Sequence, residues 1–102
     1  MNDKVEPNAL YQLIYQDICL VDIRDEYQFQ KLHLLNSINI PYDNFKQSLY
    51  LLPLNKPIYV LCQSGTKSQD IVNYLRSYNY DAYYIDGGFQ AFLATMNHAQ
   101  YF

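Results

Sequence analysis

Cys62 heads the segment Cys62-Gln63-Ser64-Gly65-Thr66-Lys67-Ser68, which gathers a thiol, three small hydroxyl side chains, a glycine and a lysine. The thiolate, rather than the thiol, is the nucleophile in cysteine chemistry. A tight loop that runs into a helix N-terminus aims successive backbone N–H groups inward, forming a nest of partial positive charge. Gly65 can take the positive φ such a curl requires, and Lys67 adds a full positive charge. A thiol at the mouth of this nest has its thiolate favoured, so Cys62 is the candidate nucleophile. Gln63, Ser64, Gly65, Thr66, Lys67 and Ser68 are then its candidate binding cradle. The competing reading is a buried cysteine that closes a strand. No histidine neighbours Cys62, as suits a thiol already ionised without a general base.

The elements around the segment must form a scaffold with its functional edge at Cys62. Ile58-Tyr59-Val60-Leu61 and Ile18-Cys19-Leu20-Val21-Asp22-Ile23 are short apolar runs of the kind buried on both faces of a parallel sheet. Ser37 to Ile40 predicts a strand stopped by Pro41, and Ala82 to Ile85 another. Between them fall helical stretches: one opened by Pro7-Asn8 with Leu10, Leu13 and Ile14 at helical spacing, then Asp25 to Lys31 and Tyr42 to Leu51. A long helix from Thr66 to Tyr78 carries Ile71, Val72, Leu75 and Tyr78 on one face, and a last one spans Phe89 to Ala94 after the Asp86-Gly87-Gly88 turn. This alternation predicts an α/β fold: a central, mostly parallel sheet flanked by helices on both faces. Sites in such sheets form beyond the carboxyl ends of strands, which points to Cys62, Asp22 and Arg24.

The 102 residues fit one compact domain, 1–102, with 50% hydrophobic and 17% charged residues. Net charge is −3 and the seven Lys/Arg are scattered, so no basic patch suits a nucleic-acid partner. No apolar run approaches the ~18 residues of a membrane span. Met1 to Pro7 is polar and acidic, unlike a secretory leader. A cytoplasmic protein with Cys19 and Cys62 as free thiols is the expectation. Cys19, Cys62, His33 and His98 lack zinc-site spacing, and neither a metal nor a cofactor is expected.

Four blocks in order resemble the rhodanese-like sulfurtransferases in their single-domain form. Val21-Asp22-Ile23-Arg24-Asp25-Glu26-Tyr27-Gln28-Phe29 is similar to the family's D-V-R-E-P-x-E-F. Leu32 to Pro41 matches G-H-I-P-G-A-x-N-I-P at His33, Asn39, Ile40 and Pro41. The Cys62 loop is similar to C-R-x-G-x-R-S, and Asp86-Gly87-Gly88-Phe89-Gln90-Ala91-Phe92 resembles L-x-G-G-F-x-A-W. The resemblance implies the family's three-layer fold and transfer of sulfane sulfur through a Cys62 persulfide. The implied partners are a small anionic donor, thiosulfate or a persulfide, and a thiophilic acceptor, a thiol or protein. It also implies that Asp22 lies near the loop, that Arg24 pairs with nearby acids, and that His33 orders backbone.

The chain departs from the pattern where Gln63 and Lys67 replace arginines, whose planar fork lysine's point charge does not reproduce. Leu35-Asn36-Ser37 stands where the family has P-G-A, Leu32 where it has glycine, and Phe92 where it has tryptophan. The alternative function is a rhodanese-like binding or regulatory module with little turnover, though inactive members typically lose the cysteine. Related phosphatases and arsenate reductases place an arginine six positions after the cysteine, where this chain has Ser68. A redox pair of Cys62 with Cys19 would require the two to lie within disulfide reach. Gly87-Gly88 read as turn residues, and residues 96–102 as a tail with two aromatics at its end.

Overall fold

A computed structural model describes residues 2–95 and Phe102. Five strands form one sheet: β1 (Lys4–Val5), β2 (Cys19–Asp22), β3 (Ser37–Asn39), β4 (Ile58–Leu61) and β5 (Ala82–Ile85). The sheet order is β1-β5-β4-β2-β3 and every pairing is parallel. Four α-helices alternate with them: α1 (Leu10–Leu13), α2 (Glu26–Lys31), α3 (Thr66–Ser77) and α4 (Gly88–Ala94). The α/β architecture read from the alternating periodicities is the one observed.

Side-chain alternation along the strands divides the interior into two cores. Val21, Ile58, Val60 and Ala82 face one side, with Ile71, Val72 and Leu75 of α3 and with Phe45 and Leu52. Leu20, Leu61 and Ile85 face the other, with Leu10 and Leu13 of α1 and with Phe89 and Phe92 of α4. Successive strand residues point to opposite faces, so helices must cover both, and three layers result.

Chain direction across the sheet reverses between β2 and β4. From β2 the chain crosses to β3 on one side, whereas from β4 it crosses to β5 on the other. The crevice beyond the carboxyl ends of β2 and β4 is therefore the topological switch point, where open parallel sheets bind ligands. In register, Asp22 lies opposite Leu61, and Cys62 is the next residue of the chain.

Three local outcomes differ from the sequence reading. Tyr42 to Leu51 is helical, but as two 3-10 pieces, Tyr42–Asn44 and Lys46–Leu51. Tyr78 is not on the buried face of α3: the helix ends at Ser77, and Tyr78, 54% exposed, packs its ring on Tyr74 instead. The N-terminal segment supplies an edge strand, β1, paired with β5. Where the family pattern has P-G-A, Asn36 adopts φ +65° and its side-chain amide donates to Ile14 O at 2.6 Å. Asparagine tolerates this left-handed conformation, so the turn is kept without glycine. Residues 96–101 of the tail lie outside the described residues, while the Phe102 ring stacks 6.0 Å from that of Phe89.

Candidate active site

β4 ends at Leu61, and the chain curls through residues 62–65 before α3 begins at Thr66. Gly65 caps α3 with φ +90°. A Cβ there would lie 2.9 Å from Gly87 N, so both the turn and its packing exclude a side chain. Cys62 is 4% exposed, and three donors and acceptors converge on its sulfur. Gly65 N–H donates to Sγ at 3.0 Å and Ser68 N–H at 3.4 Å. The thiol donates to Ser68 Oγ at 3.3 Å, and that hydroxyl donates to Gly65 O at 3.2 Å. A serine hydroxyl rotates freely, so after loss of the thiol proton the Ser68 O–H can turn to donate to sulfur. Ser68 is fully buried, whereas Gln63, Ser64, Thr66 and Lys67 are exposed around the cysteine.

The loop is gripped from below by α4. Phe89 N–H donates to Cys62 O at 2.8 Å and Gln90 N–H to Gln63 O at 3.0 Å. C=O and N–H point oppositely across a trans peptide, and all peptides here are trans. The amides of Gln63 and Ser64 therefore face away from α4. Gly88 makes this closeness possible: a Cβ on it would lie 2.4 Å from Cys62 O and 2.7 Å from Gly65 N. The sequence reading assigned Gly87-Gly88 to the turn alone. A double glycine in a chain with three glycines was the available signal for this second role.

Asp22 and Arg24 meet beside the loop as a buried pair. Arg24 Nη2 lies 2.8 Å from Asp22 Oδ2, with Nε at 3.0 and 3.1 Å from the two carboxylate oxygens. The same guanidinium donates to Leu32 O at 2.6 Å and stacks 4.0 Å above the Phe89 ring. Arg24 is thus committed to a carboxylate and to the helix that holds the Cys62 loop. His33 contacts Phe29 O through Nδ1 at 2.7 Å and stacks on the Phe29 ring, away from the sulfur.

A cleft of about 450 Å³ opens over Cys62. Besides the loop, its walls include Arg24, Asp25, Tyr42 and Asp43, of which only Arg24 was singled out in the sequence. Asp25 caps α2 by accepting from Gln28 N–H at 2.8 Å. With Arg24 neutralised by Asp22, Lys67 is the cleft-lining cation left to face a ligand. Its Nζ sits 5.0 Å from the centre of the Tyr42 ring. Among the described residues, no cluster of three His, Cys, Asp or Glu side chains could hold a metal, and no helix is long and apolar enough to cross a membrane.

The arrangement presents one sulfur, buried yet open to a cleft, with backbone N–H groups aimed at it and a cation at the rim. The family model described as a rhodanese-like domain matches residues 6–95. The thiosulfate sulfurtransferase GlpE of Tolumonas auensis is 37% identical over 83 residues, spanning 80% of this chain and 76% of that protein. The protein of the same name from Pseudomonas savastanoi is 32% identical over 93 residues, spanning 90% and 88%. The crystal structure of a rhodanese-related protein from Thermoplasma volcanium superimposes with a TM-score of 0.83 at 24% identity, over 89% of this chain and 90% of that one.

Proposed function

The chain belongs to the rhodanese-like domain family, and from that membership we propose that it is a sulfurtransferase whose Cys62 carries the transferred sulfur as a persulfide. The observation that carries this reading is the convergence of the Gly65 and Ser68 amides on Cys62 Sγ. Preorganised N–H donors stabilise negative charge on sulfur without further reorganisation, first on the thiolate and then on the persulfide.

With thiosulfate as donor, the Cys62 thiolate attacks the outer sulfur, a new S–S bond forms, and the old S–S bond breaks. Sulfite leaves with that bond's electron pair, and the enzyme is left as Cys62–S–S⁻. An acceptor thiolate or cyanide then attacks the terminal sulfur, and the Cys62 thiolate is regenerated. A persulfide donor follows the same course, with a thiolate as leaving group. The short loop favours this chemistry over phosphoryl transfer: six residues after Cys62 stands Ser68, folded inward, and the loop itself holds no arginine.

Intact mass tests the proposal. Incubation with thiosulfate or a low-molecular-weight persulfide should add one sulfur atom, which cyanide or a thiol removes and which Cys62→Ser never acquires. Failure of every donor to add sulfur would refute the sulfurtransferase reading and leave a binding module.

A further inference from the structure

We propose that Tyr42 is a positioning residue that keeps Lys67 available to anions at the cleft mouth, by engaging Asp70 through its hydroxyl and Lys67 through its ring. The value of such a cation to the donor rests on the sulfurtransferase reading above; its placement does not.

Lys67 and Asp70 are three residues apart on α3, a spacing at which opposite charges on a helix meet. Left to themselves they would pair, and the cleft would lose its one unneutralised cation. They do not pair: each side chain is engaged elsewhere, and neither takes part in the ion pairs Arg24–Asp22 and Lys56–Asp17. Instead Tyr42 O–H donates to Asp70 Oδ2 at 2.6 Å, while Lys67 Nζ rests 5.0 Å from the ring centre. A cation within ~6 Å of an aromatic face is held by the ring quadrupole and keeps its charge.

Tyr42 itself is anchored from the other side of the cleft. It follows Pro41, opens a 3-10 turn, and its N–H donates to Ile23 O at 3.0 Å, just past the end of β2. One side chain thus ties the two walls of the cleft together and separates a carboxylate from an ammonium. The hydrogen bond to Asp70, burial, and the neighbouring carboxylates Asp70 and Asp43 push the phenol above its ordinary range.

The test compares Cys62 alkylation by iodoacetate and by iodoacetamide, which differ in charge, with Cys62 followed by peptide mapping. Tyr42→Phe keeps the ring but frees Asp70 to pair with Lys67. The iodoacetate-to-iodoacetamide rate ratio should fall about two- to five-fold, the range of an exposed charge pair. Asp70→Asn in the Tyr42→Phe background should restore the ratio, and Lys67→Gln should lower it and abolish the response to Tyr42→Phe. An unchanged ratio in Tyr42→Phe, or no recovery in the double variant, would overturn the proposal. If the ratio behaves as expected while wild-type protein acquires no sulfur from any donor, the charge placement stands and the sulfurtransferase reading fails. Where sulfur is acquired, KM for thiosulfate should follow the same pattern, with kcat little changed.

Discussion

The backbone N–H of Phe89 donates to the carbonyl oxygen of Cys62 across 2.8 Å. This bond joins the first turn of α4 to the first residue of the loop after β4, elements separated in sequence by the whole of α3 and β5. It turns the Cys62 carbonyl away from the cleft, so the loop presents N–H groups there. The electrostatic character of the site is therefore set as much by α4 as by the loop.

Gly88→Ala tests that dependence. The new Cβ would fall 2.4 Å from Cys62 O, at a backbone φ of +67°. Strain of this kind costs about 1–3 kcal/mol, and relief requires α4 and the loop to part. Urea unfolding should show the loss of stability. Sulfur uptake, measured where the variant is still folded, should drop by more than the folded fraction does.

Arg24 tempts assignment as an anion-binding residue, yet Nε and Nη2 of its guanidinium are engaged by Asp22 and Leu32 O. Removing one partner of a buried ion pair costs about 3–5 kcal/mol because the other charge is left uncompensated. Arg24→Met should therefore lose stability on that scale, read from denaturant midpoints. KM for thiosulfate in the surviving folded protein should change little. A large rise in KM with unchanged stability would reassign Arg24 to the donor.

Ser68→Ala removes the hydroxyl shared by Cys62 Sγ and Gly65 O. Gly65 O keeps the Gln69 side-chain amide at 3.1 Å, so the stability cost should be about 1 kcal/mol. Iodoacetamide trapping of Cys62 and sulfur uptake should both slow on the order of tenfold. That is less than the ~10²–10³ typical of losing an oxyanion donor, because the Gly65 and Ser68 amides remain.

What the sequence disclosed follows physical range. β2, β4 and β5 were legible because strands of a covered parallel sheet are apolar on both faces, and that pattern is local. The Cys62 loop was legible because a strand, a glycine and a helix start adjoin in the chain. β1 was not, since Lys4 and Val5 carry no periodicity and become a strand only through the edge of β5. Gly88 beneath the loop and Tyr42 beneath Lys67 depend on contacts across 20 or more residues: the double glycine marks the first without naming its partner, and nothing local marks the second. Tyr78 was misplaced because helical spacing continues on paper past Ser77, where the helix stops.

Stability should fall at alkaline pH, with tyrosines responsible. Burial pushes Tyr59 above its ordinary range, and the hydrogen bond to Asp81 does so first for Tyr83, whose ring stacks on Tyr59 at 5.2 Å. A phenol held above its unfolded value binds its proton more tightly when folded. Its contribution is complete below the unfolded pKa of ~10 and is lost as pH rises through the folded value. Denaturant midpoints should stay level up to about pH 10 on this account and decline beyond it, less steeply in Tyr83→Phe.

Cys19 should prove dispensable for sulfur transfer. The register places it opposite Ile58, and Cys62 lies four residues beyond Ile58, just past the end of β4. At about 3.3 Å per residue, that offset alone is roughly 13 Å, while a disulfide needs Cα atoms within about 7 Å. Burial also pushes the Cys19 thiol up, only partly offset by Lys56, which makes it a poor attacking group. Cys19→Ser should therefore take up sulfur from thiosulfate and release it to cyanide at wild-type rates, and mild oxidation of the wild-type protein should leave no intramolecular disulfide. Slower release in Cys19→Ser, or a Cys19–Cys62 linkage in a peptide map, would show that the sheet register opens on the time scale of turnover and that Cys19 resolves the persulfide.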